Sequence, residues 1–120
     1  RADGRPLMSR VGTVVACFGW HRAPDPAPAA ALADPGPGTL KFPHDVARAP
    51  DDTLVVCEYG NNRLSRFACD GAFIATLGGP GRGYGQFNTP RGVTVSPQGI
   101  VFVADTDNDR VQRFRLEDFA

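Results

Sequence analysis

The sequence predicts an all-β chain of tandem four-stranded antiparallel meanders, and three observations carry that prediction. Residues 36–67 align without a gap on residues 83–114, at a constant offset of 47 that puts Pro43 on Pro90 and Phe67 on Phe114; ten of the 32 positions are identical. The apolar runs inside each copy are short, β-branched and bounded by Pro, Gly, Asn and Asp, and no helical period extends over about ten residues. Gly and Pro together supply 14 and 11 of the 120 residues, a turn-rich composition. Four antiparallel strands per unit, repeated in tandem, is the pattern of blades, so the expected architecture is a partial β-propeller.

The elements follow in order. Residues 45–49 and 92–96 are expected as the first strand of each copy. Pro50-Asp51-Asp52 and Pro97-Gln98-Gly99 then turn the chain. Residues 53–58 and 100–105 are apolar and β-branched, as a buried second strand is. Asn61-Asn62 and Asp107-Asn108-Asp109 mark the next turn, and residues 63–68 and 110–116 alternate as half-buried third strands do. Residues 72–77 make a fourth strand, and Gly71-Ala-Phe-Ile-Ala-Thr-Leu-Gly78 resembles Gly12-Thr-Val-Val-Ala-Cys-Phe-Gly19 at an offset of 59. That offset exceeds 47 by a 12-residue insertion rich in alternating Ala and Pro, expected as an extended loop. The organisation read from this is outer strands of a preceding degenerate blade at 1–19, an insertion loop at 20–35, a blade at 36–82 and a second, truncated blade at 83–120.

Charge narrows the function classes. Thirteen basic and thirteen acidic residues leave no net charge, which argues against a dominant electrostatic grip on nucleic acid or an acidic membrane. No apolar run approaches the roughly 20 residues of a membrane span. The chain opens on Arg1 and its one Met is Met8, so the natural N-terminus is expected to lie outside it. Three cysteines, Cys17, Cys57 and Cys69, make neither a disulfide framework nor a zinc pair, and favour a reducing, cytoplasmic location. Cys57 and Cys69 are expected as small buried apolar residues.

The segment Gly85 to Phe114 resembles the NHL repeat. It supplies Gly85, Phe87, Pro90, Gly92, Val93, the strand Val103-Ala104-Asp105, then Asn108, Arg110 and Val111. The earlier copy keeps Pro43, Val46, Asn61, Arg63 and Leu64, with Asp45 in place of the Gly and Cys57-Glu58 in place of Ala-Asp. The resemblance covers residues 36–119, with a weaker echo at 10–19, and implies radial blades of a larger propeller.

The repeated residues read as architecture. Asn61 and Asn108 suit left-handed turn positions, and Arg63 and Arg110 have planar forks able to bridge Glu58 or Asp105 and turn carbonyls. Gly78 to Gly85 is rejected as a phosphate cradle, because a strand and not a helix follows. It reads as the crossover from one blade to the next. His44 is the one candidate metal ligand, but its counterpart is Arg91, and a metal needs about three ligands. No metal or cofactor is expected.

The remaining polar and aromatic residues fall on two connections that share a rim: Tyr84, Asn88, Arg91, Thr106, Asp107 and Asp109, with Lys41, His44 and Tyr59 from the earlier copy. A rigid scaffold presenting such loops suits a binding platform; an ordinary solvated rim is the alternative. The resemblance implies recognition of a protein partner, alongside contacts with neighbouring blades. Single-stranded RNA on the same rim is the second reading, with Arg91, Lys41 and Arg82 as phosphate contacts. An enzyme of the amidating-lyase kind, with metal-binding His near the axis, is the third; Pro43-His44 matches one such position and Arg91 does not.

Overall fold

A computed structural model of the chain describes Phe18 and residues 38–119. The insertion expected at 20–35 and nearly all of the preceding strands at 1–19 lie outside the described residues. Seven strands form two antiparallel sheets: β1 (Pro43–Arg48), β2 (Leu54–Glu58), β3 (Arg63–Phe67) and β4 (Phe73–Leu77) in the first, then β5 (Pro90–Val95), β6 (Ile100–Asp105) and β7 (Arg110–Arg115) in the second. Both are simple meanders in chain order. The only helical turns among the described residues are single 3-10 turns at Thr106–Asn108 and Leu116–Asp118.

The repeat is written into the backbone as well as the side chains. Left-handed residues recur at the same spacing: Gly38 and Gly85 (φ 86° and 77°), Phe42 and Thr89 (49° and 56°), Asp52 and Gly99 (70° and 81°), Asn62 and Asp109 (51° and 54°). The first strand of each sheet carries the same irregularity. Pro43 pairs with Glu58 and Asp45 with Cys57, leaving His44 as an extra residue; Pro90 pairs with Asp105 and Gly92 with Ala104, leaving Arg91. Each is a β-bulge, which bends the strand locally and re-aims the side chain it carries.

The main core lies between the two sheets. Val55, Cys57 and Leu64 of the first meet Phe87, Val93, Val101, Val103 and Phe119 on the second blade. Alternation along β2 puts Val55 and Cys57 on this face, while Val56 turns to the other, with Leu40, Phe67 and Phe18. The crossover is tight where it meets the core. Gly78 has φ 85°, and a Cβ there would stand 2.4 Å from the Phe87 ring, so a glycine is required.

One expectation needs correction. Cys57 is buried, but Cys69 is exposed. Cys69 lies where the chain reverses between β3 and β4, with Ala68 and Ala72 closing the turn by a 2.7 Å backbone bond, so its side chain meets no second layer. Val55 and Phe67 are core residues, whereas Phe102 and Phe114 are only half-buried. Phe87, from the lead-in to β5, is the fully buried ring of the blade junction, with Phe114 packed against it.

Candidate functional site

Each blade is locked by a buried carboxylate at the end of its second strand. Glu58 ends β2 and accepts hydrogen bonds from Arg63 Nε at 2.8 Å, Asn61 Nδ2 at 2.9 Å, the Lys41 backbone N–H at 3.2 Å, and the Ser65 hydroxyl. Asp105 ends β6 and accepts from the Asn88 N–H at 2.7 Å, Arg110 Nε at 2.8 Å, Asn108 Nδ2 at 3.0 Å and Gln112 Nε2 at 3.1 Å. Donor for donor, the two sets stand 47 residues apart. The guanidinium tips reach the lead-in carbonyls, Arg63 to Thr39 at 3.0 Å and Arg110 to Gln86 at 3.1 Å. Such a carboxylate tolerates burial only because both of its oxygens accept hydrogen bonds and a guanidinium balances its charge. Burial pushes the Asp105 carboxyl up, but the four donors outweigh it and hold the group below the usual carboxylate range. Burial, with the Asp45 and Glu58 carboxylates adding to it, pushes the Cys57 thiol up to about 12, so it is no nucleophile at neutral pH.

The two bulges bring a second, exposed group of residues together across the blade junction. His44 donates from Nδ1 to the Arg91 carbonyl at 2.9 Å, and the Arg91 guanidinium lies over the Tyr59 ring, 5.4 Å from its centroid. Tyr59 is 6.2 Å from the His44 ring and 6.0 Å from Phe42, edge-on to the latter. Asp45, standing where the repeat prefers Gly, accepts from the Val93 N–H at 3.0 Å, and Asn62 accepts from the Thr89 N–H at 2.8 Å. Lys41 leans against Gly60: a Cβ built there would sit 2.7 Å from Lys41 Cγ and 2.8 Å from the Phe42 ring.

The other expected rim residues distribute differently. Asn88, in the lead-in to β5, and Asp107, in the turn after β6, meet, the Asp107 N–H donating to the Asn88 carbonyl at 3.0 Å. Thr106 caps the end of β6 beside them, its hydroxyl 3.5 Å from the Ala104 carbonyl. Asp107 and Asp109 share a recess with Arg82 and Arg110. Tyr84 is 99% exposed and stands away from the aromatic group, on a groove along β7 with Leu77, Gly85 and Arg110. Among the described residues no three His, Cys, Asp or Glu side chains converge as a metal would need. No helix among them is long and apolar enough to cross a membrane.

Sequence reasoning passed over two features. Phe42 completes the aromatic group; its signal is an aromatic side chain where the second copy has Thr89. Ser65 and Gln112 complete the carboxylate locks; their signal is a polar residue at the same inward position of both third strands.

The family model described as the NHL repeat matches residues 40–67 and 87–114, the span from each lead-in to the end of each third strand. NHL repeat-containing protein 2 of Gallus gallus is 33% identical over 89 residues, 68% of this chain. The Homo sapiens protein of the same name is 32% identical over 89 residues. The chain spans 12% of the length of either relative. With the repeated locks, bulges and left-handed turns, these matches show that the chain belongs to the NHL-repeat family, its two sheets being blades of the β-propeller type.

Proposed function

We propose that the chain serves as part of a binding platform for a protein partner, and that the rim spanning the blade junction is its contact surface. The observation that carries this reading is the exposed group Phe42, His44, Tyr59 and Arg91, held in mutual contact outside the core. Aromatic residues and Arg are the side chains that concentrate binding energy at protein interfaces. NHL repeats generally mediate protein interactions, which fits. Lys41 adds a cation next to Phe42, and Asn88, Thr106, Asp107 and Asp109 are further polar residues of the proposed rim.

Affinity capture with the whole chain tests the proposal. A partner retained by the wild type and by Gln98→Ala, which alters the turn between β5 and β6, should be lost with Arg91→Ala. Equal retention by both variants removes the rim from the reading. Loss of capture after nuclease treatment, together with a steep fall in binding as salt rises, would replace the protein with RNA.

A further inference from the structure

We infer that the rim group is a receptor for an acidic peptide segment that carries an apolar or aromatic side chain next to its carboxylate, an inference that rests on the rim being a protein-binding surface. In a tandem repeat the scaffold residues recur, so residues that break the repeat and yet cluster are free for another task. Phe42, His44 and Tyr59 stand where the second blade has Thr89, Arg91 and Thr106. All three are exposed, and all three gather around Arg91 or one another within 6.2 Å. Phe42 is 64% exposed although its backbone is left-handed, a conformation in which a bulky side chain is unfavourable. Packing does not account for the ring, because it lies outside both core clusters.

Charge selects the ligand. Among the described residues neither the Arg91 guanidinium nor the Lys41 ammonium has a carboxylate within ion-pairing distance. The nearby Asp45 has both oxygens committed, Oδ1 to the Val46 N–H at 2.9 Å and Oδ2 to the Val93 N–H at 3.0 Å. A guanidinium over a ring face, 5.4 Å from its centroid, can still bind a carboxylate through its N–H groups with two parallel bonds. The Tyr59 ring beneath it and the Phe42 ring next to Tyr59 offer apolar surface to a neighbouring side chain of the same segment. A nucleic acid is served less well: Arg82, the third cation a phosphate track would need, shares its recess with Asp107 and Asp109.

The test probes the whole chain against a random-peptide array, followed by a synthetic peptide of the enriched sequence. Enrichment should favour Asp or Glu adjacent to Leu, Phe or Trp. Arg91→Ala should weaken the synthetic peptide by about tenfold or more, as should the double variant Phe42→Thr/Tyr59→Thr. That double variant installs the residues of the second blade, so its circular dichroism and melting should match the wild type; Gln98→Ala should bind within about twofold of it. Enrichment of neutral or basic peptides that is still lost with Arg91→Ala overturns the acidic assignment and leaves the rim reading standing. Enrichment insensitive to both rim variants overturns both. Absence of any preference over arrays with Lys in place of Asp, or displacement of the peptide by oligouridylate at equal concentration, also overturns the inference.

Discussion

Leu64 and Val111 occupy the same place in their two blades, yet Leu64 has no exposed surface and Val111 exposes 68% of its own. The inner strands invert the contrast: Val46 is 55% exposed and its counterpart Val93 only 7%. Leu64 and Val93 face each other's blade, whereas Val46 and Val111 lie on the two outer faces. The polar locks show no such asymmetry, since Glu58 and Asp105 are both fully buried with equivalent donors. A blade therefore builds its lock from its own residues and its lead-in, and its hydrophobic core from the next blade. This is the division of stability between intrinsic and nearest-neighbour terms expected of a repeat protein.

The largest expected effect tests the locks. Removing one partner of a buried ion pair leaves the other uncompensated, so Glu58→Ala and Asp105→Ala should each cost about 3–5 kcal/mol in urea denaturation. Glu58→Ala should cost the more, because Arg63 is better buried than Arg110, with side chains 10% and 27% exposed. A larger loss at Asp105 would break the idea that lock strength follows burial.

The next effect tests the faces. Leu64→Ala should destabilise by about 2–5 kcal/mol. Val111→Ala should stay within about 0.5 kcal/mol, as at an exposed site. Equal losses, or a Val111 effect that grows with protein concentration, would mean that the outer face of the second blade is covered in solution.

A smaller effect concerns acid. The Asp105 carboxyl is held below the ordinary range, so the stability it contributes is fully present above the unfolded carboxylate value of about 3.9. It is lost as pH falls through the lowered folded value. The stability gap between wild type and Asp105→Asn, read from denaturant midpoints, should be constant near neutrality and narrow below about pH 4. A gap that widens on acidification would contradict the assignment.

The smallest effect sharpens the comparison at the rim. Phe42→Thr places in the first blade the residue that the second already carries in the same left-handed backbone. It should change the melting free energy by no more than about 0.5 kcal/mol. A loss of several times that size would make Phe42 a structural residue and remove it from the binding group.

Much of this was legible in the residues. The offset of 47 located both copies, and Pro, Gly and Asn placed the turns, because turn geometry depends on a few adjacent dihedral angles. The pairing of Arg63 with Glu58 and of Arg110 with Asp105 was also within reach, since each spans a single hairpin. Strand ends shifted by one or two residues, as β1 does in starting at Pro43 rather than residue 45.

What the sequence determined by itself was the repeat period, the meander order and the Arg–carboxylate pair of each lock, all of them set by contacts within one short unit. The tertiary structure decided which of two equivalent residues is buried, because burial belongs to a pair of surfaces and not to a strand. It separated Cys57 from Cys69 and buried Phe87 fully at the junction while leaving Phe114 half-buried against it. It also joined Arg91 to His44 and Tyr59, with Phe42 against Tyr59, since a bulge aims a side chain by a local twist that alternation does not encode, and only the packing of one blade on the next brings those side chains to the same edge.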